Sequence, residues 1–202
     1  LFGTDGVPEI ANTILTPELA FALGRVGAGI IGKKLGRAPT IIVGKDTRLS
    51  GDMLEAAINA GITSVGGNAM NIGVIPTPGV AFLIKDLPAD AGITISASHN
   101  PMEYNGIKFM SGDGFKLSDE EEQKIEEHII NAQYGVSPFY GVNDEFPRPT
   151  RNSVGKILNL ADAGERYLKY AKSIIDTDLV GFKIVVDCAN GAASFYTPRL
   201  LR

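Results

Sequence analysis

Residues 92–116 read G-I-T-I-S-A-S-H-N-P-M-E-Y-N-G-I-K-F-M-S-G-D-G-F-K and place a hydroxyl (Ser98), an imidazole (His99) and an ammonium (Lys108) close together along the chain. A nucleophile with a base and a cation beside it suits acyl or phosphoryl transfer. Acyl transfer fits poorly, because Ser98 lacks a G-x-S-x-G elbow and the other histidine, His128, sits among Ile125, Ile129 and Ile130 on a capped helix. There it reads as a helix-surface or core-edge residue. A phosphoryl group on Ser98 would bring about −1.5 to −2 charges. Lys108 and Arg48 could then each supply a charge-assisted hydrogen bond of about 1.5–3 kcal/mol. The competing structural reading makes the Ser98 hydroxyl a tie for loop backbone, with His99 packed against it.

Around Arg48 the run G-K-D-T-R (44–48) precedes a helix start, where anions bind readily. A structural Asp46–Arg48 pair explains the same residues, and both readings stay open. A magnesium ion on such a phosphoryl group would want carboxylates, yet no tight Asp cluster lies near Ser98. Asp113 reads as a turn residue and Asp119 as a first-turn helix acid; Gly112-Asp113-Gly114 could cradle a phosphate, but reads better as a tight turn before the capped helix. Cys188 has no charge partner to activate it.

The elements that must position these groups follow from periodicity. Ile93 and Ile95 alternate with Thr94 and Ser96 as a strand. Pro101 then stiffens the loop and biases Asn100 away from helix. Asn105-Gly106 is the strongest hairpin signal in the chain. It predicts a return strand over 107–109, with Lys108 on the face opposite Ile107 and Phe109. Upstream, residues 1–13 read as a loop with a turn at Thr4-Asp5-Gly6. Thr16-Pro17-Glu18 starts a helix running to about Leu35. Residues 40–44 make a strand buried on both faces, and Ser50 is expected to cap the next helix. A strand over 69–74 and a short helix over 79–85 follow. Ser118-Asp119-Glu120-Glu121 is a capping box. Residues 134–155 read as a linker, 161–175 as a helix and 183–187 as an apolar strand leading into C-A-N-G-A-A-S.

This alternation predicts an α/β fold: a mixed, mostly parallel sheet with helices on both faces, followed by the start of a second similar α/β module. The expected division is 1–145 and 146–202. The echo of D-T-R-L-S-G after one strand in D-C-A-N-G after another is what a duplicated module leaves. The second unit is too short to cover its own strand, so a longer parent protein is expected. Ligands of such sheets sit at the carboxyl ends of the strands, where Lys45 to Arg48 and Ser98 to Pro101 both fall.

The totals exclude several classes. The net charge of −4 over 202 residues carries no basic stripe, against nucleic acid as a partner. The lone cysteine makes no internal disulfide and fits a reducing compartment. No apolar run reaches spanning length and no signal peptide opens the chain, so the expectation is a cytoplasmic protein with no membrane partner.

These motifs resemble those of the α-D-phosphohexomutase superfamily over essentially the whole chain. I-S-A-S-H-N-P (95–101) is similar to its phosphoserine loop, N-G-I-K-F (105–109) to the segment of its active-site lysine, and G-K-D-T-R to the loop whose arginine faces the phosphoryl group. F-G-T-D-G (2–6), L-T-P-E-L-A (15–20), D-G-F-K-L-S-D-E (113–120) and P-R-P-T (147–150) resemble the branch acting on glucosamine phosphates. The alternatives are the phosphomannomutase/phosphoglucomutase branch and a non-catalytic phosphosugar-binding protein. The resemblance implies catalytic roles for Ser98, His99, Lys108 and Arg48. It implies a hexosamine phosphate substrate passing through a 1,6-bisphosphate, and leaves a homodimer open. It implies Mg2+ held by the Ser98 phosphoryl group, with carboxylates from an Asp-Gly-Asp-Gly-Asp-Arg loop that these residues lack. It also implies four domains around a cleft, so residues 1–202 alone are expected to give no turnover. One departure stands out: Pro8-Glu9 replaces the Arg-Gly usual after F-G-T-D-G-V.

Overall fold

The strand β2 (Thr40–Lys45) lies at the middle of the sheet, and its run T-I-I-V-G-K is buried through its centre. The computed structural model describes residues 7–131, 145–176 and 178–202. The F-G-T-D-G motif and the part of the expected linker over 134–144 lie outside the described residues. Before β2 come β1 (Val7–Ile10) and α1 (Pro17–Leu35); after it come α2 (Ser50–Ser64), β3 (Asn68–Val74) and α3 (Thr77–Asp86). Then follow β4 (Ala91–Ile95), β5 (Tyr104–Ser111), α4 (Asp119–Asn131), β6 (Ile157–Asn159), α5 (Ala163–Ser173) and α6 (Thr197–Leu200). The sheet order is β1-β5-β4-β2-β3-β6. The β4-β2-β3-β6 portion is parallel, while β5 runs antiparallel to both β4 and β1. The mixed, mostly parallel α/β fold is therefore observed.

Both faces are covered. Ile41, Val43, Ile93, Ile95, Ile107 and Phe109 point into one core with α1, α2 and α4. Ile42, Ile72 and Met110 point into the other, where Val80, Leu83 and Ile84 of α3 and Ala163 of α5 meet them. Period-two alternation along each strand serves both cores at once.

Local chemistry sets the helix ends. Thr16 Oγ1 accepts the Leu19 N–H at 3.3 Å, Pro17 opens α1, and Gly36 closes it in the left-handed conformation at φ 67. Ser118 Oγ accepts the Glu121 N–H at 3.3 Å, as its capping box predicts. Ser50 departs from expectation. No side chain caps α2, and the Ser50 hydroxyl instead accepts a hydrogen bond from Asn105 Nδ2 at 2.9 Å.

Three other expectations are corrected. Residues 7–10 form an edge strand on β5 where a loop was expected, with Pro8 tolerated because an edge has one unpaired side. Asn105-Gly106 lies inside β5 and not at a turn. The connection from β4 instead spans residues 96–103, because the serine loop is too long to close as a two-residue hairpin. No strand forms over 183–187: Val185 is 97% exposed, and the segment has no neighbouring strand among the described residues. A buried parallel strand exists only when neighbours supply its hydrogen bonds. The sequence reading also passed over β6, which pairs with β3. Phe146 sits in the first core, and the guanidinium of fully buried Arg25 donates to the carbonyls of Phe146 and Pro147, so the chain just beyond 145 packs against the residues before it.

The α1–α2 crossing depends on glycine. A Cβ on Gly61 would lie 2.2 Å from the Phe21 carbonyl oxygen and 2.7 Å from the Arg25 nitrogen, and one on Gly24 would lie 2.5 Å from the Ile58 carbonyl. Both obstacles are backbone and cannot swing aside. Gly61→Ala should therefore lower unfolding stability by at least about 2 kcal/mol in a urea titration, despite alanine's better helix propensity. Asp90 offers a pH test. Burial raises its carboxyl pKa, but the two hydrogen bonds from Arg37, the Thr40 N–H and the Arg37 charge outweigh that and leave it below its ordinary value of 3.8. A carboxylate depressed on folding stabilises above its unfolded pKa and loses that contribution as pH falls through the folded one. Asp90→Asn should therefore flatten the acid limb of stability below pH 3.8, measured as thermal midpoints across pH.

Candidate functional site

The three central strands end side by side. The Asp46 N–H donates to the Ile95 carbonyl at 3.0 Å, and the Ile75 N–H to the Lys45 carbonyl at 3.0 Å. The loops after β2, β3 and β4 consequently share one rim, as the strand-end argument predicts. Above them opens a cavity of about 1130 Å³. Asp46 to Ser50 and Ile75 to Thr77 form one wall, and Ser96, Ser98 to Asn100, Met102 and Glu103 form another. Ala189 to Ala193 close it from the far side, where Thr47 Oγ1 donates to the Asn190 carbonyl at 2.5 Å. Ala11 and Asn12 complete the rim.

Ser98 is exposed on this cavity, at φ 55. A non-glycine residue in the left-handed region costs about 1–3 kcal/mol and persists only where its surroundings enforce it. Its N–H donates to Ser96 Oγ at 3.1 Å, and its own Oγ lies 3.3 Å from His99 Nδ1. The hydroxyl thus faces solvent with an imidazole alongside, while the loop's backbone is tied by other groups.

Arg48 does most of that tying. Nη1 donates to the carbonyls of Pro101 (2.6 Å) and Tyr104 (2.9 Å), and Nη2 to those of Ser98 (3.1 Å) and Asn100 (2.8 Å). Nε donates to Asp46 Oδ2 at 3.1 Å, and Asp46 Oδ1 accepts the Arg48 N–H. Of the two readings of the G-K-D-T-R loop, the Asp46–Arg48 pair is observed, and the arginine also reaches the serine loop through its backbone carbonyls. Lys45 turns away toward α2, where Asp52 and Glu55 accept from Nζ at 2.7 and 2.6 Å. Burial lowers the Lys45 pKa, but these two carboxylates outweigh it and hold the ammonium above its ordinary value.

Lys108 stands opposite Thr94 in the β4–β5 register, across the strand from Ile107 and Phe109, and the cavity lining does not include it. The Pro8-Glu9 departure falls in β1, paired with Gly106 and Asn105, and it too lies off the cavity wall. Asp113 Oδ1 accepts from Ser111 Oγ and from the Phe115 N–H, so Gly112-Asp113-Gly114 is the structural turn expected. His128 lies on the helix surface, its Nδ1 2.7 Å from the Lys124 carbonyl. The sequence marks Asn105 only as half of a hairpin signal. It is fully buried and links the first residue of α2 to β5, and only its tertiary position reveals that bond. Among the described residues no cluster of three His, Cys, Asp or Glu side chains could hold a metal ion. Ser98 alone does not make a magnesium site. No helix among the described residues is long and apolar enough to cross a membrane.

Curated relatives and solved structures match this arrangement. The chain is 51% identical over its full length to a phosphoglucosamine mutase of Heliobacterium modesticaldum, covering 45% of that protein. It is 53% identical over its full length to a phosphoglucosamine mutase of Desulforamulus reducens, covering 43% of it. The chain thus spans less than half the length of these relatives. A crystal structure of a phosphoglucomutase/phosphomannomutase family protein from Burkholderia thailandensis superposes with a TM-score of 0.78 over 96% of this chain and 40% of that one, at 24% identity, a likeness of fold. The family model for phosphoglucomutase/phosphomannomutase, alpha/beta/alpha domain I, matches residues 1–135, which covers β1 to α4 and the loops carrying Ser98 and Arg48, and the chain belongs to that family.

Proposed function

We propose that the protein carrying this chain interconverts glucosamine 6-phosphate and glucosamine 1-phosphate, with Ser98 as the phosphoryl carrier. Two relatives named phosphoglucosamine mutase, each about half identical to the whole chain, support the substrate class. One observation supports the carrier above the others: Ser98 is exposed on the cavity of about 1130 Å³, on a residue held at φ 55 by bonds to its loop. A hydroxyl that only tied up backbone would point inward and be satisfied there.

In this reading phosphorylated Ser98 gives its phosphoryl group to the free hydroxyl of the bound sugar phosphate. The P–Oγ bond breaks, a P–O bond to the sugar forms, and the sugar hydroxyl's proton leaves as Oγ regains one. The resulting 1,6-bisphosphate turns over in the cavity. The Ser98 Oγ then attacks the other phosphate and releases the isomeric monophosphate, so the phosphoenzyme is restored. His99, 3.3 Å from Oγ, is placed to hold that proton or to orient the hydroxyl. Lys108, on β5 opposite Thr94 and outside the cavity lining, takes an assisting role from the family resemblance alone, and the lone cysteine with the metabolic substrate makes a cytoplasmic site the natural setting.

Intact mass and turnover test the assignment in the protein. The wild type should carry one phosphate and be active on glucosamine 6-phosphate. Ser98→Ala should lose the phosphate and at least about 10³-fold in kcat. A wild type that binds the sugar phosphate without ever carrying a phosphoryl group would instead be a binding protein. Faster turnover of mannose or glucose phosphates would move it to the neighbouring branch of its family.

A further inference from the structure

We propose that Arg48 is a positioning residue that holds Ser98 in its strained, exposed conformation and is not a ligand of the transferring phosphoryl group. A guanidinium has five N–H donors. In Arg48 all of them are engaged: Nε by Asp46, and the two terminal nitrogens by the carbonyls of Ser98, Asn100, Pro101 and Tyr104. To bind a phosphoryl oxygen directly, the side chain would have to release a carbonyl of the loop that presents the phosphoryl group. Its charge is also matched locally, because Asp46 Oδ2 lies 3.1 Å from Nε and both side chains are largely buried.

The loop needs this support for reasons visible in its chain. Residues 96–103 connect two antiparallel neighbours through a segment with a proline and a left-handed Ser98. Its own backbone bonds include Asn100 N–H to the Ala97 carbonyl and Tyr104 N–H to the Pro101 carbonyl, and the carbonyls of 98, 100 and 104, together with that of 101, turn to one point. Only a planar fork fills that point. A lysine has three donors on a point charge and cannot span acceptors set in a plane. Arg48 reaches them because it leaves the end of β2, and β2 is the direct neighbour of β4.

The activity arm of the test rests on the function proposed above, and the structural arm does not. Amide hydrogen exchange should be measured for the wild type, Arg48→Lys, Arg48→Met and Asp46→Asn. In both Arg48 variants residues 97–104 should exchange at least about tenfold faster, while β2 and β4 keep wild-type protection. Asp46→Asn, which keeps the shape of the anchor, should loosen the loop less. In the protein's turnover of glucosamine 6-phosphate, both Arg48 variants should lose about 10²-fold in kcat with KM within about threefold of wild type. Retained charge in Arg48→Lys should give no rescue. Unchanged loop exchange in Arg48→Met would overturn the proposal, as would a lysine variant with near wild-type kcat. A wild type with neither turnover nor phosphoserine, but with the expected exchange pattern, would sink the mutase reading and leave the clamp standing.

Discussion

One guanidinium under one loop organises this end of the molecule. The Arg48 side chain gathers the carbonyls of Ser98, Asn100, Pro101 and Tyr104 while Asp46 holds it from behind. With those carbonyls turned inward, the serine hydroxyl is free to face the cavity. A backbone conformation unfavourable by about 1–3 kcal/mol is thereby offset by several charge-assisted bonds. Strain and restraint sit on the same few residues.

The remaining structure brings those residues within reach of one another. Arg48 meets the serine loop because β2 and β4 are parallel neighbours, so their carboxyl ends coincide. That pairing requires covering layers on both faces, which α1, α2 and α4 provide on one side and α3 and α5 on the other. The close approach of α1 to α2 depends on Gly24 and Gly61, where any side chain would strike opposing backbone. Asn105, buried beneath the site, fastens β5 to the start of α2 and so connects the strand leaving the serine loop to the helix following Arg48. Each contact limits how far the two loops can drift apart.

The chain beyond residue 145 also reaches the site. Ala189 to Ala193 form its far wall, fixed by the bond from Thr47 to the Asn190 carbonyl. The Tyr196 hydroxyl donates to the Val74 carbonyl at 2.7 Å, and Phe82 stacks on Tyr170 with ring centroids 4.1 Å apart. The D-C-A-N-G segment therefore contributes to the same cavity as D-T-R-L-S-G, the run it echoes in sequence.

Much was legible from residues alone. Thr16-Pro17 and the Ser118 box located their helices because capping is a local hydrogen bond between neighbours in sequence. The central strand 40–44 declared itself by unbroken apolarity, and S-A-S-H-N-P marked the loop that follows β4 by composition. Other features depended on partners distant in the chain. Four-residue β1 and three-residue β6 carry too little pattern to announce themselves and exist because β5 and β3 offer open edges. Asn105-Gly106 has turn chemistry but was drawn into β5, and 183–187 has strand chemistry but found no neighbour. The sequence by itself determined the helices and the central strands, since each rests on propensity, capping or a short hydrophobic period. Tertiary structure alone decided what Arg48 holds, because five donors on one side chain can be allocated only once the loops around them have met.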